Sequence, residues 1–110
     1  MATNYKVLGQ EALTAETATT VYTVPAGKEA IVSTIVVCNR AAAANTFRIA
    51  VRPDDDALAN EHYIAYDVAI AANDATNLTL GVTMDAGDII TVYGGAASEL
   101  SVNVFGSEIS

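Results

Sequence analysis

Apolar and polar residues alternate with a period of two over most of the chain, which is the spacing of β-strands rather than of helices. The strand-like segments recur at roughly the 8–12-residue spacing of sandwiches and barrels. The predicted strands are residues 5–10, 20–24, 30–39, 46–52, 62–68, 76–80, 89–93 and 100–105. The pattern therefore predicts an all-β chain.

Two of these segments indicate where their faces lie. Residues 30–39 carry apolar side chains on both faces, so this strand is expected to be buried on both sides or to lie centrally in a sheet. Residues 46–52 place Phe47 and Ile49 on one face and Arg48 on the other. That alternation predicts a half-buried strand with one face in water.

Turn residues fall between the strands. Val24-Pro25-Ala26-Gly27 places Pro where φ is preset and Gly where a positive φ is needed, as in a type II turn or its relatives, and Asp85-Ala86-Gly87-Asp88 repeats this arrangement later in the chain. Pro53 is expected to end the strand before it, because it cannot donate the next ladder hydrogen bond. Residues 41–44 are interpreted as a hairpin loop. Residues 40–45 and 54–60 are predicted to lie at one end of the sandwich and to contact a partner.

Composition limits the class of protein. A length of 110 residues predicts a single domain over residues 1–110, with residues 1–20 forming an N-terminal arm or an edge strand. A hydrophobic share of 52% argues against a disordered chain, and a net charge of -8 argues against nucleic-acid binding. The longest apolar runs are too short for a membrane helix, and one cysteine gives no intramolecular disulfide. We expect an acidic soluble domain that folds in a reducing compartment.

Candidate chemical sites are weak. Asp54, Asp55 and Asp56 could bind a hard cation, but they do not match an EF-hand loop and fit a solvated loop better. His62 has no local nucleophile motif beside it. Cys38 ends the most apolar strand, which favours a buried structural cysteine over a reactive thiolate. No enzyme activity, cofactor or metal site is predicted.

The tyrosines are the best candidates for contact. Tyr suits positions that are packed at one end and wet at the other, as at interfaces. Tyr63 and Tyr66 are three residues apart in one predicted strand and are expected to point to opposite faces. The candidate interface residues are Tyr5, Tyr22, Tyr63 and Tyr66.

A longer run of residues resembles a known class of protein. Residues 20–28 read Thr-Val-Tyr-Thr-Val-Pro-Ala-Gly-Lys, and residues 31–39 read Ile-Val-Ser-Thr-Ile-Val-Val-Cys-Asn. With residues 46–51, 60–67 and 104–109, this arrangement resembles small virion structural proteins of tailed bacteriophages, especially cyanobacterial and other marine phages. The resemblance covers nearly the whole chain and implies a non-enzymatic virion component with a β-sandwich fold.

The resulting prediction is an antiparallel β-sandwich, jelly-roll-like, of about eight strands. Its expected function is capsid decoration as a homo-oligomer, with a trimer favoured because threefold positions occur on phage heads. The expected partners are other copies and the major capsid protein, with no nucleic acid and no membrane. The expected location is the virion, after assembly in the host cytoplasm. Residues 2–20 and 106–110 are predicted to be the attachment elements.

Three other functions stay open. A neck, tail or fibre protein of the same particle would fit the resemblance equally. A carbohydrate-binding jelly roll would use Tyr63, Tyr66 and the loop at Asp54–Asp56, although the chain has no Trp for stacking on sugars. A small hydrolase would need a base near Cys38 or His62.

Overall fold

A computed structural model describes residues 2–95 and 98–110, apart from the side chains of Asp55 and Leu80. These residues form eight strands and two short 3₁₀ turns, Pro53–Asp55 and Asn60–His62. The strands are β1 (Thr3–Ala12), β2 (Ala18–Thr23), β3 (Glu29–Asn39), β4 (Asn45–Arg52), β5 (Tyr63–Ile70), β6 (Ala75–Met84), β7 (Ile89–Gly94) and β8 (Leu100–Ile109). Every predicted segment overlaps one of them.

The strands form two four-stranded antiparallel sheets. Sheet A has the order β1-β8-β3-β6 and sheet B has the order β2-β7-β4-β5. The pairings nest as β1 with β8, β2 with β7, β3 with β6 and β4 with β5. The described chain thus runs as one long hairpin, with its tip at β4–β5, folded into two layers. The all-β antiparallel sandwich predicted from the alternation is confirmed.

The core lies between the two sheets. Phe47 and Ile49 from β4 face Ile35 from β3 and Val104 from β8, and all four are fully buried. These are the inward positions of the period-two pattern, so the burial of apolar side chains fixes the register of each strand. Pro53 follows the last residue of β4 directly, as predicted.

Strand β3 lies centrally in sheet A, between β8 and β6. Its outer face is only partly covered, because no layer of the described chain packs over that side of the sheet. Ile31 is 40% exposed and Cys38 is half-buried. The interpretation of Cys38 as a buried residue is therefore wrong: its strand is central, but its side chain points to the open face.

Both predicted glycine turns form, and the first lies one residue later than predicted, over residues 25–28. Gly27 has a φ of 77° and Gly87 a φ of 88°. Each turn closes with a hydrogen bond, from the Lys28 amide to the Pro25 carbonyl and from the Asp88 amide to the Asp85 carbonyl. The turns lie side by side, since the Gly87 amide donates to the Val24 carbonyl at 3.0 Å.

The connections divide between two ends of the sandwich, which we name the turn pole and the loop pole. The turn pole carries residues 24–28, 53–62 and 85–88, and the loop pole carries residues 13–17, 40–44 and 71–74 together with the described residues 95, 98 and 99. Residues 40–45 and 54–60 flank β4, so they lie at opposite poles, and the prediction that they share one end is wrong. Residues 41–44 join sheet A to sheet B and do not form a hairpin loop.

Both ends of the described chain lie at the turn pole beside sheet A. Residues 3–12 are the edge strand β1, not a free arm. The amides and carbonyls of Ala2 and Ser110 hydrogen-bond to each other at 2.9 Å in both directions. Of the predicted attachment segments, residues 2–6 therefore pair with residues 106–110 in one ladder, while residues 18–20 pair with β7 in sheet B.

Candidate interaction surfaces

The outer face of sheet A carries an apolar surface near the turn pole. Tyr5 on β1 lies opposite Ser107 on β8, which lies opposite Ile31 on β3. Residues directly opposite share a face. Val7 and Phe105, two residues further along β1 and β8, form the next pair on the same face. We name Tyr5, Val7, Ile31 and Phe105 the apolar edge face.

Three of these side chains are open to solvent. Tyr5 is 87% exposed, Val7 46% and Ile31 40%. Together with neighbouring residues they line an open groove of about 640 Å³. Single exposed apolar residues are ordinary on a protein surface, but a contiguous group that includes a tyrosine is typical of a contact site.

Strand β1 adds a free backbone edge to this face. Ala2 and Ser110 exchange both hydrogen bonds, so they are a hydrogen-bonded pair of the antiparallel ladder. Such pairs alternate with pairs whose amides and carbonyls point away from the partner strand. Thr3, Tyr5 and Val7 therefore direct their backbone groups to the outside of sheet A, where another strand could pair.

The outer face of sheet B carries a different cluster, built around Arg48. Arg48 on β4 lies directly opposite Tyr93 on β7. The Arg48 Cζ atom lies 4.2 Å from the ring centroid of Tyr66 and 4.5 Å from that of Tyr93. Arg48 also donates two hydrogen bonds to Asp67, from Nε to Oδ1 at 2.6 Å and from Nη2 to Oδ2 at 3.3 Å.

Tyr63 completes this cluster. Its ring meets that of Tyr66 edge to face, with centroids 4.9 Å apart and planes at 86°. That geometry is favourable for aromatic rings because the positive edge of one meets the negative face of the other. We name Arg48, Tyr63, Tyr66, Asp67 and Tyr93 the arginine–tyrosine cluster.

The prediction that Tyr63 and Tyr66 point to opposite faces is wrong. From Phe47 to Ile49 strand β4 advances two residues, while β5 runs from Val68 to Ala65 and advances three. The extra residue is a β-bulge, and Asp67 within it has a φ of 50°. A second shift lies between the two tyrosines, because β4 advances one residue from Ile49 to Ala50 while β5 advances two from Ala65 to Tyr63. This second extra residue breaks the period of two between Tyr63 and Tyr66 and brings both rings to the same side.

The electrostatics of the cluster follow from its central ion pair. The hydrogen bond to Asp67 raises the pKa of Arg48 above its ordinary value, so the guanidinium stays charged. Cation–π attraction to two rings adds to the ion pair. The arrangement holds an arginine in one orientation on an otherwise open sheet.

Tyr22 is placed in the core, which corrects its prediction as an interface residue. The side chain points inward from β2, and its hydroxyl donates to Glu108 Oε2 on β8 at 2.7 Å. This bond links sheet B to sheet A. Burial first, then the hydrogen bond to Glu108, raises the pKa of Tyr22 above its ordinary value.

Glu108 is a buried carboxylate with cationic partners. It is 3% exposed and accepts a hydrogen bond from Lys6 Nζ at 2.9 Å, while Lys28 Nζ lies 3.7 Å away. The hydrogen bonds from Tyr22 and Lys6 lower the pKa of Glu108, against the opposing effect of burial. Through its contacts with Lys6 and Tyr22, the Glu108 carboxylate links β1, β2 and β8. We name Lys6, Tyr22, Lys28 and Glu108 the Glu108 cluster.

The other candidate residues have structural contacts. His62 is buried, and its Nδ1 accepts a hydrogen bond from the Ala59 amide at 3.1 Å. The Asp54 amide donates to Asp88 Oδ1 at 2.8 Å, which ties that loop to the β6–β7 turn. The Asp55 side chain lies outside the described residues. Among the described side chains, no group of three or more acidic, His or Cys residues is arranged to hold a metal ion.

Sequence reasoning did not identify Arg48, Asp67, Tyr93 or Glu108 as members of a cluster. Arg48 was correctly expected on the wet face of its strand. Its neighbours depend on which strands pair and on a bulge, and neither can be read from alternation alone.

Comparison of the chain with family models, curated proteins and solved structures finds no match. In the described part of the chain, no helix is long and apolar enough to cross a bilayer.

Proposed function

We propose that this chain is a non-enzymatic structural subunit of a tailed-phage particle, located on the head surface as a decoration protein. It assembles in the host cytoplasm as a symmetric homo-oligomer, with a trimer favoured, and docks onto the major capsid protein. Neither nucleic acid nor membrane is a partner in this proposal.

The apolar edge face carries the proposal. Tyr5 and Val7 lie on an edge strand whose backbone groups at those positions point outward, so one surface offers both side-chain and main-chain contacts. An exposed edge of this kind favours pairing with another chain. The simplest role for such an edge is to be covered by a neighbouring subunit in an assembly.

Two further arguments support the kind of assembly. We interpret the nested pairing of β1–β8, β2–β7, β3–β6 and β4–β5 as a jelly roll, an architecture used by capsid and lectin domains. That argument is by analogy of fold. The phage assignment itself depends on the resemblance of residues 20–39 and the later segments to small phage virion proteins.

The copy number per particle tests this proposal. Particles of the phage that encodes the chain are purified, and the chain is quantified against the major capsid protein. Hundreds of copies per particle support head decoration. Single figures to low tens overturn decoration in favour of a neck, tail or fibre position, and absence from the particle overturns the virion assignment.

A further inference from the structure

We propose that the arginine–tyrosine cluster on sheet B is a binding site for neutral hexose glycans. The site consists of the exposed ring of Tyr66 and the adjacent Arg48–Asp67 pair. It lies on the sheet opposite the apolar edge face and does not depend on the proposed role in a virion.

The cluster is ordered before any ligand binds. Tyr66 is 56% exposed, yet its ring contacts the Arg48 guanidinium and the ring of Tyr63. Arg48 is held in turn by Asp67 and Tyr93. An exposed aromatic side chain that is already fixed loses little conformational entropy on binding, which favours it as a platform.

The Arg48 guanidinium covers one face of the Tyr66 ring and the Tyr63 ring packs against it edge to face, so a ligand would stack on the remaining part of this 56% exposed side chain. The face of an aromatic ring is negative and its edge positive. The C–H groups on one side of a pyranose carry a small positive charge and can stack on such a face. This contact needs no charge on the ligand and uses the apolar side of the sugar.

The Arg48–Asp67 pair offers donors and acceptors side by side. A guanidinium has five N–H donors, and the two hydrogen bonds to Asp67 leave others directed elsewhere. A carboxylate accepts at about four positions, and Asp67 is half exposed. Since each sugar hydroxyl both donates and accepts, two neighbouring hydroxyls match this pair.

Charge selects a neutral ligand. Asp67 compensates the positive charge of Arg48 at the site, and the whole chain carries a net charge of -8. A sialylated or sulfated glycan would therefore gain little from Arg48, whose charge is neutralised by Asp67, and would be repelled by the net negative charge of the chain. Neutral hexoses meet neither obstacle.

Binding at one such site is expected to be weak, with a Kd of about 1 mM, because a single open platform buries little of the ligand. Several copies held together would raise the apparent affinity about 100-fold or more if the glycan spans neighbouring sites. The intrinsic site is therefore tested with monomeric sugars at millimolar concentration.

Saturation-transfer NMR on the purified chain tests the proposal, with methyl glycosides of glucose, galactose and mannose as neutral probes and sialyllactose as the acidic one. At least one neutral glycoside is expected to bind. Tyr66→Ala should weaken that binding about tenfold, and Tyr66→Phe should retain it because the ring is kept. Tyr5→Ala, which removes an exposed tyrosine from the opposite sheet, is the matched control and should bind as the parent chain does.

Three results would overturn the proposal. One is that no neutral glycoside binds at tens of millimolar. Another is that Tyr66→Ala binds as tightly as Tyr5→Ala. The last is binding of sialyllactose alone with loss on Arg48→Gln, which would identify an anion site. Circular dichroism of each variant separates loss of binding from loss of fold.

Discussion

Gly27 and Gly87 perform the same backbone task in different surroundings. Both residues have a positive φ, at the third position of matching turns. A Cβ on Gly27 would meet no heavy atom within 4 Å, whereas a Cβ on Gly87 would lie 2.9 Å from Asp54 Oδ1. The two positions thus separate backbone strain from side-chain crowding.

We expect Gly27→Ala to lower the free energy of unfolding by about 1–2 kcal/mol, the cost of a non-glycine residue in the left-handed region. Gly87→Ala should lower it further, because Asp54 must also move away from the new methyl group. Urea unfolding followed by circular dichroism measures both values. Equal losses, or a larger loss at Gly27, would contradict the crowding argument.

The sequence could predict these turns because Pro, Gly and Asp report local backbone geometry. It could not predict the surroundings of Tyr22 or Tyr66. Both residues belong to strands with a register irregularity, and Tyr22 faces a carboxylate 86 residues away along the chain. Local patterns carry no information about such partners.

At the scale of single elements, β1 is held by more than its ladder with β8. Lys6 contributes its ammonium group to Glu108, and Glu108 also receives the Tyr22 hydroxyl from sheet B. An edge strand is thereby joined to the opposite layer through one carboxylate. The charge of Glu108 controls how strongly this connection holds.

This connection predicts a pH dependence of stability. The pKa of Glu108 is lower in the folded chain than in the unfolded one, so its contribution is present above the unfolded pKa of about 4.3 and is lost as pH falls through the folded pKa. Glu108→Gln should destabilise the chain at pH 7, and its difference from the parent should shrink towards pH 3. Urea midpoints at pH 7, 5 and 3 measure this difference.

The matched control is Glu61→Gln, which removes an exposed carboxylate. The urea midpoint of this variant should equal that of the parent at every pH. If the urea midpoint of Glu108→Gln instead stays below that of the parent by the same amount down to pH 3, the ionised form of Glu108 is not what stabilises β1.

Strand positions were predictable because burial of one face imposes a period of two, as Phe47 and Ile49 illustrate in β4. Which strands become neighbours was not predictable. The pairing of β3 with both β6 and β8 joins segments that lie far apart in the chain. The prediction of a hairpin loop at residues 41–44 fails for the same reason. A short connection has the same sequence pattern whether it joins two strands of one sheet or strands of two different sheets.

At the scale of the whole molecule, the two sheets present unlike outer faces. Sheet A offers the apolar edge face, and sheet B offers the arginine–tyrosine cluster. A subunit that self-associates through sheet A keeps sheet B open. The two proposals are therefore compatible, and each can fail without the other.

Self-association through sheet A predicts that the purified chain forms oligomers. Replacing Tyr5 and Val7 together by Ser should shift the distribution to monomer, because the apolar contact is removed while the backbone edge stays. Tyr66→Ser on sheet B should leave it unchanged. Sedimentation velocity at several concentrations measures the shift, and a parent chain that remains monomeric at hundreds of micromolar would contradict the prediction.

Because Ala2 pairs with Ser110, the order of the strands along the chain can be changed while their arrangement in space is kept. Two residues that exchange both ladder bonds have Cα atoms about 5.5 Å apart, a gap that a linker of a few residues can span. Joining them and opening the chain within residues 71–74 gives a circular permutant that keeps all of the described strand pairings. By the same geometry, a peptide fused at either end projects from the turn pole. One protein with a fusion at each end would therefore present two peptides side by side and leave the loop pole unmodified.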